Sequence, residues 1–509
     1  MKNINILIAQ DIKEYRFIKS KTNLKYICVP VNLETLLYYK TNKINYLNPS
    51  KFLGNKFHRK GVVDSARLEK SINKKHLSKN SLIYQFKFLV RYYFNSCFFL
   101  NELIKGVLHT CTLNKILVSG WNKTNPHQPN QNYIVSEIYK LLFPNKTLAI
   151  RKIKKNKKLE TCKYRLEKNY KISDFVFFSN YGYNSKKIKK KLNLQNIKRE
   201  LFLTESPIPF WKKSIFNLIG VKFLLIKKIH SKSISKIITK KIKFKKINSK
   251  ILKLINNRLW FFNIQLNNTH NKCKLIINFL KENKPKFQIF NMATSLERYC
   301  NDYFKKKIRT ICIPHGTVSK GYNNYDRKYK KMIAQNVILD NADEIYLQSK
   351  IAEKGIKIFN KSRKINYIKK NIIFGNNSKP HNPNKILYAV TMKNLSSIQF
   401  YGVETFYEHY SNLKFLDDLA KTNNLKILVK PHPSVHYLIE PLKKEFKNLE
   451  FTKTKISKIL NYVYVTLSFS STVIEDSINS HVPVILLDRW KRYMHCDSEK
   501  NVSKLNRPI

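Results

Sequence analysis

A chain of 509 residues is long enough for two or three domains with sizeable cores, and its 43% hydrophobic content excludes a disordered tail or linker. The 98 Lys and Arg against 32 Asp and Glu give a formal net charge of +66, which raises nucleic acid and anionic membrane surfaces as partners. No RNP motif or zinc-finger spacing is present, and the charge is spread along the chain with Lys, Asn and Ile everywhere, as a biased coding composition produces.

The start, MKNINILIAQDIKEYRF, has an apolar run that breaks at Gln10 and Asp11, so it predicts a first strand rather than a signal peptide. KYICVPV predicts a strand, LETLLYYKTN a helix, and residues 61–110 a basic helical stretch. The most hydrophobic segment is 81–100, but Lys87, Arg91 and Asn95 interrupt it at helical spacing. That pattern predicts a core helix, with an interfacial helix as the alternative, and not a membrane span. KILVSGW, TLAIRKI and DFVFFSN are further strand candidates, and PNQNYIVSEIYKLLF is a helix between them. The eight cysteines form no CxxC pair and sit mostly in apolar segments, as free thiols of a reducing compartment do.

From about 183 to 284 the chain is rich in Lys, Ile and Asn and predicts a basic helical insertion. Strand–helix alternation resumes at KFQIF. A helix begins near Thr294-Ser295 with Glu297 in its first turn, and the strand TICIP runs into His315-Gly316-Thr317. A Pro/Asn-rich linker at 376–384 separates an N-terminal domain, 1–375, from a C-terminal one, 385–509. The C-terminal domain opens with the strand KILYAVT, ending at Thr391.

Residues 425–489 carry the most chemistry. LKILV, YVYVTL and VPVILL have the length and β-branched content of buried parallel strands. The first runs into Lys430-Pro431-His432-Pro433, where the prolines end the ladder and leave His432 at a carboxyl edge. The second runs into Ser468-Phe469-Ser470-Ser471-Thr472 ahead of the helix VIEDSIN, which holds Glu475. Hydroxyls at a helix start suit caps and phosphate seats alike. Either feature alone is accounted for by a loop histidine or a capped helix; together, on what the order predicts to be adjacent strand ends, they suggest a phosphate-bearing ligand.

The series His315-Gly316-Thr317, Lys430-Pro431-His432-Pro433, Ser468 to Thr472 and Glu475 resembles the bacterial surface-polysaccharide transferases of the GT-B fold, such as CDP-glycerol glycerophosphotransferases and capsular polysialyltransferases. The resemblance covers roughly 285–489 well. It implies an α/β protein with two Rossmann-like domains facing across a cleft, acceptor side N-terminal and nucleotide-donor side C-terminal. It further implies His315 as general base or leaving-group contact, His432, Ser470 and Ser471 as phosphate contacts, and Glu475 at the ribose. Glu297 is the second candidate base; Lys430, Ser468, Thr472, Gly316 and Thr391 complete the donor set. The implied donor is CMP-, CDP- or UDP-linked and the acceptor a glycan or lipid-linked molecule. With no DxD-like acidic pair on a strand end, neither an essential metal nor a cofactor is expected, and the compartment is cytoplasmic, with an anionic inner membrane face as a further partner. A nucleotide-sugar 2-epimerase of the same fold is the alternative enzyme, and a basic nucleic-acid-binding protein the alternative from another class.

Overall fold

The computed structural model describes residues 3–48, 67, 82–119, 134–150, 162–167, 171–180, 184–230, 249–293, 295–304, 307–314, 341–348, 365–368, 383–389, 406–468 and 471–487, with scattered positions between 324 and 356. It is an α/β protein built on three sheets.

The first sheet holds β1 (Asn3–Ile8), β2 (Ile27–Cys28), β3 (Thr112–Ser119) and β4 (Thr147–Ile150) in the order β2-β1-β3-β4, all parallel. Its helices are α1 (Ile12–Lys19), α2 (Leu33–Thr41), α3 (Leu82–Thr110) and α4 (Ile134–Leu142). Asp11 starts α1 by accepting from the Glu14 N–H at 2.7 Å, and Asn32 starts α2 by accepting from the Thr35 N–H at 2.9 Å. The α3 segment expected as a core helix is one: Phe86, Val90, Tyr93, Cys97 and Leu103 are buried in its packing. No described helix is long and apolar enough to cross a membrane. The seven described cysteines are all buried.

The central sheet has eight strands: β5 (Cys162–Leu166), β6 (Phe175–Phe178), β7 (Arg199–Thr204), β8 (Val221–His230), β9 (Phe287–Phe290), β10 (Arg309–Cys312), β11 (Glu344–Leu347) and β12 (Ile365–Tyr367). Their order is β12-β11-β10-β9-β6-β7-β8-β5, parallel except for the antiparallel edge pair β5–β8. Counted from β6, this is the 3-2-1-4-5 doubly wound order continued by two strands. The associated helices are α5 (Ser185–Lys191), α6 (Phe210–Leu218), α7 (Ser249–Asn257), α8 (Leu259–Glu282) and α9 (Ser295–Phe304).

The expected helical insertion at 183–284 is therefore corrected: β7 and β8 are central-sheet strands inside it. Both of their faces are covered, Leu201, Leu203, Leu224 and Ile226 on one side and Phe202, Val221 and Phe223 on the other. Strands buried on two faces read as apolar runs without alternation, and their flanking lysines hid them. Gly220 turns the chain into β8 at φ +77°, where an added Cβ would stand 3.1 Å from the Lys198 carbonyl oxygen.

The third sheet holds β13 (Lys385–Ala389), β14 (Ile427–Lys430), β15 (Leu449–Phe451), β16 (Val463–Ser468) and β17 (Val484–Leu486) in the order β15-β14-β13-β16-β17, all parallel. Its helices are α10 (Phe406–Thr422), α11 (Ile439–Glu445), α12 (Ile456–Ile459) and α13 (Val473–Asn479). Residues 1–375, expected as one Rossmann-like unit, thus contribute two sheets. The first sheet shares a core with the third, 380 residues later: Ile6, Leu37 and Phe86 belong to the same buried cluster as Leu413, Val429 and Leu442. Helix α2 packs on α10 and α11, and Lys40 reaches both Tyr410 and Glu445. Each fully buried aliphatic or aromatic side chain in such a core contributes about 1.5–3 kcal/mol.

Candidate functional site

Open parallel sheets bind ligands outside the carboxyl ends of their strands, where the strand order reverses. That rule marks three places here: between β1 and β3, between β6 and β9, and between β13 and β16.

At the third sheet, β14 ends at Lys430 and β16 at Ser468. These strands are not adjacent, as the sequence order suggested; β13 stands between them, so their ends are two strand spacings, roughly 10 Å, apart. After Lys430 the chain makes a 3-10 turn over Pro433–Leu438, closed at its start by the Val435 N–H donating to the His432 carbonyl at 2.9 Å. This turn brings His436 back to Lys430, with Nε2 3.4 Å from Nζ, and Nζ also donates to the Pro431 carbonyl at 3.3 Å. Desolvation holds the Lys430 ammonium below its ordinary pKa. Burial, and then the neighbouring Lys430 charge, lower that of His436. Lys453 is a further cation felt by His436, and no described carboxylate acts on either group. His432, two residues past the strand end, is half-buried.

At the end of β16, Ser468 is buried, and its hydroxyl has no hydrogen-bond partner among the described residues. The Ser471 hydroxyl accepts from the Val473 N–H at 3.3 Å. Thr472 occupies the cap of α13 but makes no side-chain cap bond. Its backbone is helical there (φ −64°, ψ −7°), whereas a capping hydroxyl reaches the first turn from an extended residue. Glu475, expected at a ribose, is 1% exposed. Ser470 and Thr391 lie outside the described residues, as do His315, Gly316 and Thr317.

At the central sheet, the Ser179 hydroxyl, just past β6, donates to Asn291 Oδ1, just past β9, at 3.3 Å. Past β11, Gln348 holds the strand end that leads to His315: its Nε2 donates to the Pro314 carbonyl at 2.6 Å. Glu297 is buried in the first turn of α9, near enough to Lys272 of α8 to act on its charge. Helix α9 packs on α8 and α3, so Glu297 belongs to the central sheet and not to the Lys430–His436 group.

The first sheet carries a strongly perturbed acid. Glu14 is buried at the start of α1, and its carboxyl accepts from the Gln10 N–H at 2.6 Å. The Ser119 hydroxyl, at the end of β3, also bonds it. Burial pushes the Glu14 pKa up to about 8, with Asp11 adding to the rise and those hydrogen bonds opposing it. The edges of the first and third sheets meet next to this acid. Tyr437, in the turn after His432, donates to Glu34 Oε2 at 3.2 Å, and Glu34 Oε1 accepts from the Ile12 N–H at 3.5 Å.

The sequence reading missed Glu14, His436 and Tyr437. His436 had a signal, since a spacing of four from His432 in PHPSVHYL is one turn of helix. Glu14 had none beyond its place after the first strand, because its perturbation comes from tertiary burial. Among the described residues, no group of three His, Cys, Asp or Glu side chains is placed to hold a metal ion.

No family model matches the chain, and no curated protein matches it in sequence. Among solved structures it is similar to the UDP-N-acetylglucosamine 2-epimerase from Rickettsia bellii, at 12% identity over 62% of this chain and 78% of that one, with a TM-score of 0.35. It is also similar to the lipopolysaccharide outer core galactosyltransferase WaaB, at 12% identity over 65% and 82% of the two chains, TM-score 0.31. MurG of Acinetobacter baumannii aligns at 8% identity over 62% and 85%, TM-score 0.29.

Proposed function

We propose that the chain is a GT-B-type transferase that takes a nucleotide-activated donor and passes a glycosyl or glycerophosphoryl group to a glycan or lipid-linked acceptor in surface or capsular polysaccharide synthesis. The observation that carries this reading is the cationic group at the carboxyl end of β14. Lys430 and His436 lie 3.4 Å apart with no described carboxylate acting on them. Burial and the adjacent ammonium hold the His436 ring towards its neutral form, in which Nε2 accepts from Lys430 Nζ, and the ammonium meets no described carboxylate; a phosphate supplies that counter-charge. Next to it, β13 and β16 form the switch point, where Ser468 and Ser471 bring hydroxyls.

In this reading Lys430, His432 and His436 hold the donor phosphates and stabilise the charge that develops as the nucleotide departs. His315 takes the proton of the acceptor hydroxyl. These cations do the work a divalent ion does elsewhere, so turnover persists in EDTA.

The test is isothermal titration of CMP-, CDP- and UDP-linked donors into the protein and into His432→Ala. Loss of a charge-assisted phosphate contact weakens binding by about 1–3 kcal/mol. Equal affinity in a folded His432→Ala protein refutes the phosphate assignment. Product analysis then separates transfer to an acceptor from 2-epimerisation of the donor.

A further inference from the structure

Among the described residues, helix α6 and the residue after it gather the densest group of exposed large apolar side chains. Within FWKKSIFNL and the Ile219 that follows, Phe210 is 86% exposed, Trp211 61% and Leu218 88%, with Ile215 and Ile219 also exposed. The helix contains no buried residue. Phe216 anchors it, edge-on to Phe223 of β8 with ring centroids 5.4 Å apart, together with the ion pair of Lys213 with Glu167. Single exposed apolar residues are ordinary, but five of them within ten residues form a contiguous patch.

The surroundings of the patch are basic. Helix α5 packs into the same side of the central sheet through Ile188, in one cluster with Phe216 and Phe223. It exposes Lys186, Lys187, Lys190 and Lys191. Lys198 follows and abuts the end of α6 at Gly220. The nearby acids are already neutralised: Glu167 pairs with Lys213 and Lys227, and Glu205 with Lys272. Lys212 lies 5.1 Å from the Trp211 ring centre, a cation beside the aromatic wedge.

From this juxtaposition we propose that α6 is an interfacial anchor that inserts Phe210, Trp211 and Leu218 into an anionic lipid bilayer, while the lysines of α5 lie against its headgroups. Charge complementarity selects this occupant. A protein partner would have to present apolar and acidic surface matched to this one helix, whereas an anionic membrane offers both layers in the order in which the patch displays them. Two stretches of the sequence, 81–100 and 214–230, combine apolar faces with Lys and Arg and invite this reading. The first forms part of a core helix; the second divides, with Val221–Ile226 in a strand covered on both faces and its first residues, Ile215, Leu218 and Ile219, exposed in and just past α6.

A chain of charge +66 adsorbs to anionic vesicles whatever α6 does, so the decisive variant leaves the charge unchanged. Phe210→Ser/Leu218→Ser replaces two exposed side chains, which keeps the fold intact. Phosphatidylcholine vesicles containing 0 to 30% phosphatidylglycerol are floated with each protein in about 150 mM salt, near a Debye length of 8 Å. The native chain is expected to float in proportion to the phosphatidylglycerol fraction, and the double variant to partition at least about tenfold more weakly. Lys186→Gln/Lys187→Gln/Lys190→Gln, which leaves the apolar patch untouched, is expected to shift the required phosphatidylglycerol fraction upward. Equal flotation of the native chain and the apolar variant overturns the anchor. So does a native chain that self-associates in sedimentation while Phe210→Ser/Leu218→Ser stays monomeric without losing lipid binding, since the patch then serves a second copy. Donor titrations are unaffected by either variant, so failure here stays separate from failure of the transferase reading.

Discussion

The carboxyl edges of the first and third sheets meet at the Tyr437–Glu34 contact, yet they are built on opposite principles. The third gathers basic groups: Lys430 and His436 share a hydrogen bond with no described carboxylate acting on either. The first gathers acids: Asp11, Glu14 and Glu34 cluster around the start of α1, and Glu14 is driven towards its neutral form by burial. The difference teaches how such sites are made. The basic groups are brought together by a turn that half-buries them, and the acid is perturbed because the chain around it shuts water out.

The largest expected effect tests whether the two edges belong to one folded unit. Leu37→Ala, in the shared core, is expected to cost about 2–5 kcal/mol. Native-state hydrogen exchange should show faster opening of β16 as well as of β1. Acceleration confined to the first sheet would split the unit and dissolve the comparison.

Next comes the acid. With a pKa of about 8 in the fold against 4.5 for an ordinary glutamate, Glu14 carries a proton in the folded chain that the unfolded chain lacks between those values. Its contribution to stability is therefore full below pH 4.5 and is lost as pH rises through 8, at a slope of up to about 1.4 kcal/mol per pH unit. Glu14→Gln removes that slope, so urea midpoints measured at pH 5, 6, 7 and 8 should converge differently for the two proteins. Parallel pH profiles would mean that Glu14 ionises like a surface acid.

The smallest effect sharpens the contact itself. Tyr437→Phe removes one partly exposed hydrogen bond, for a loss of about 0.5–1 kcal/mol in thermal or chemical melts. An equal loss in a Glu34→Gln background would show that the hydroxyl acts elsewhere.

Much of the third sheet was legible in the sequence. Three apolar runs became β14, β16 and β17, and VIEDSIN became α13 over the span expected. Prolines at 431 and 433 marked the strand end because proline cannot donate to a ladder. The central sheet was half legible. KFQIF and TICIP stood out as β9 and β10, while β7 and β8 were masked by the lysines around them. What no local pattern could reveal was lateral order: that β13 separates β14 from β16, and that the first sheet shares its core with the last. Both depend on contacts between residues hundreds of positions apart. The same holds for Glu14, whose character is set by how tightly Gln10 and Ser119 close over it.

The pairing of α2 with α10 and α11 also has a consequence in time. Lys40 leaves the ribosome some 400 residues before its partner Glu445. At elongation rates of about 5–20 residues per second, the interval is roughly 20 to 80 seconds. Through that interval the face of α2 that will meet the third sheet, with Leu37 among its apolar residues, has no partner from that sheet. The nascent first sheet thus waits for that cover until the third sheet is made. Synonymous changes that slow translation between residues 41 and 406 should lower soluble yield without altering a single contact in the finished molecule.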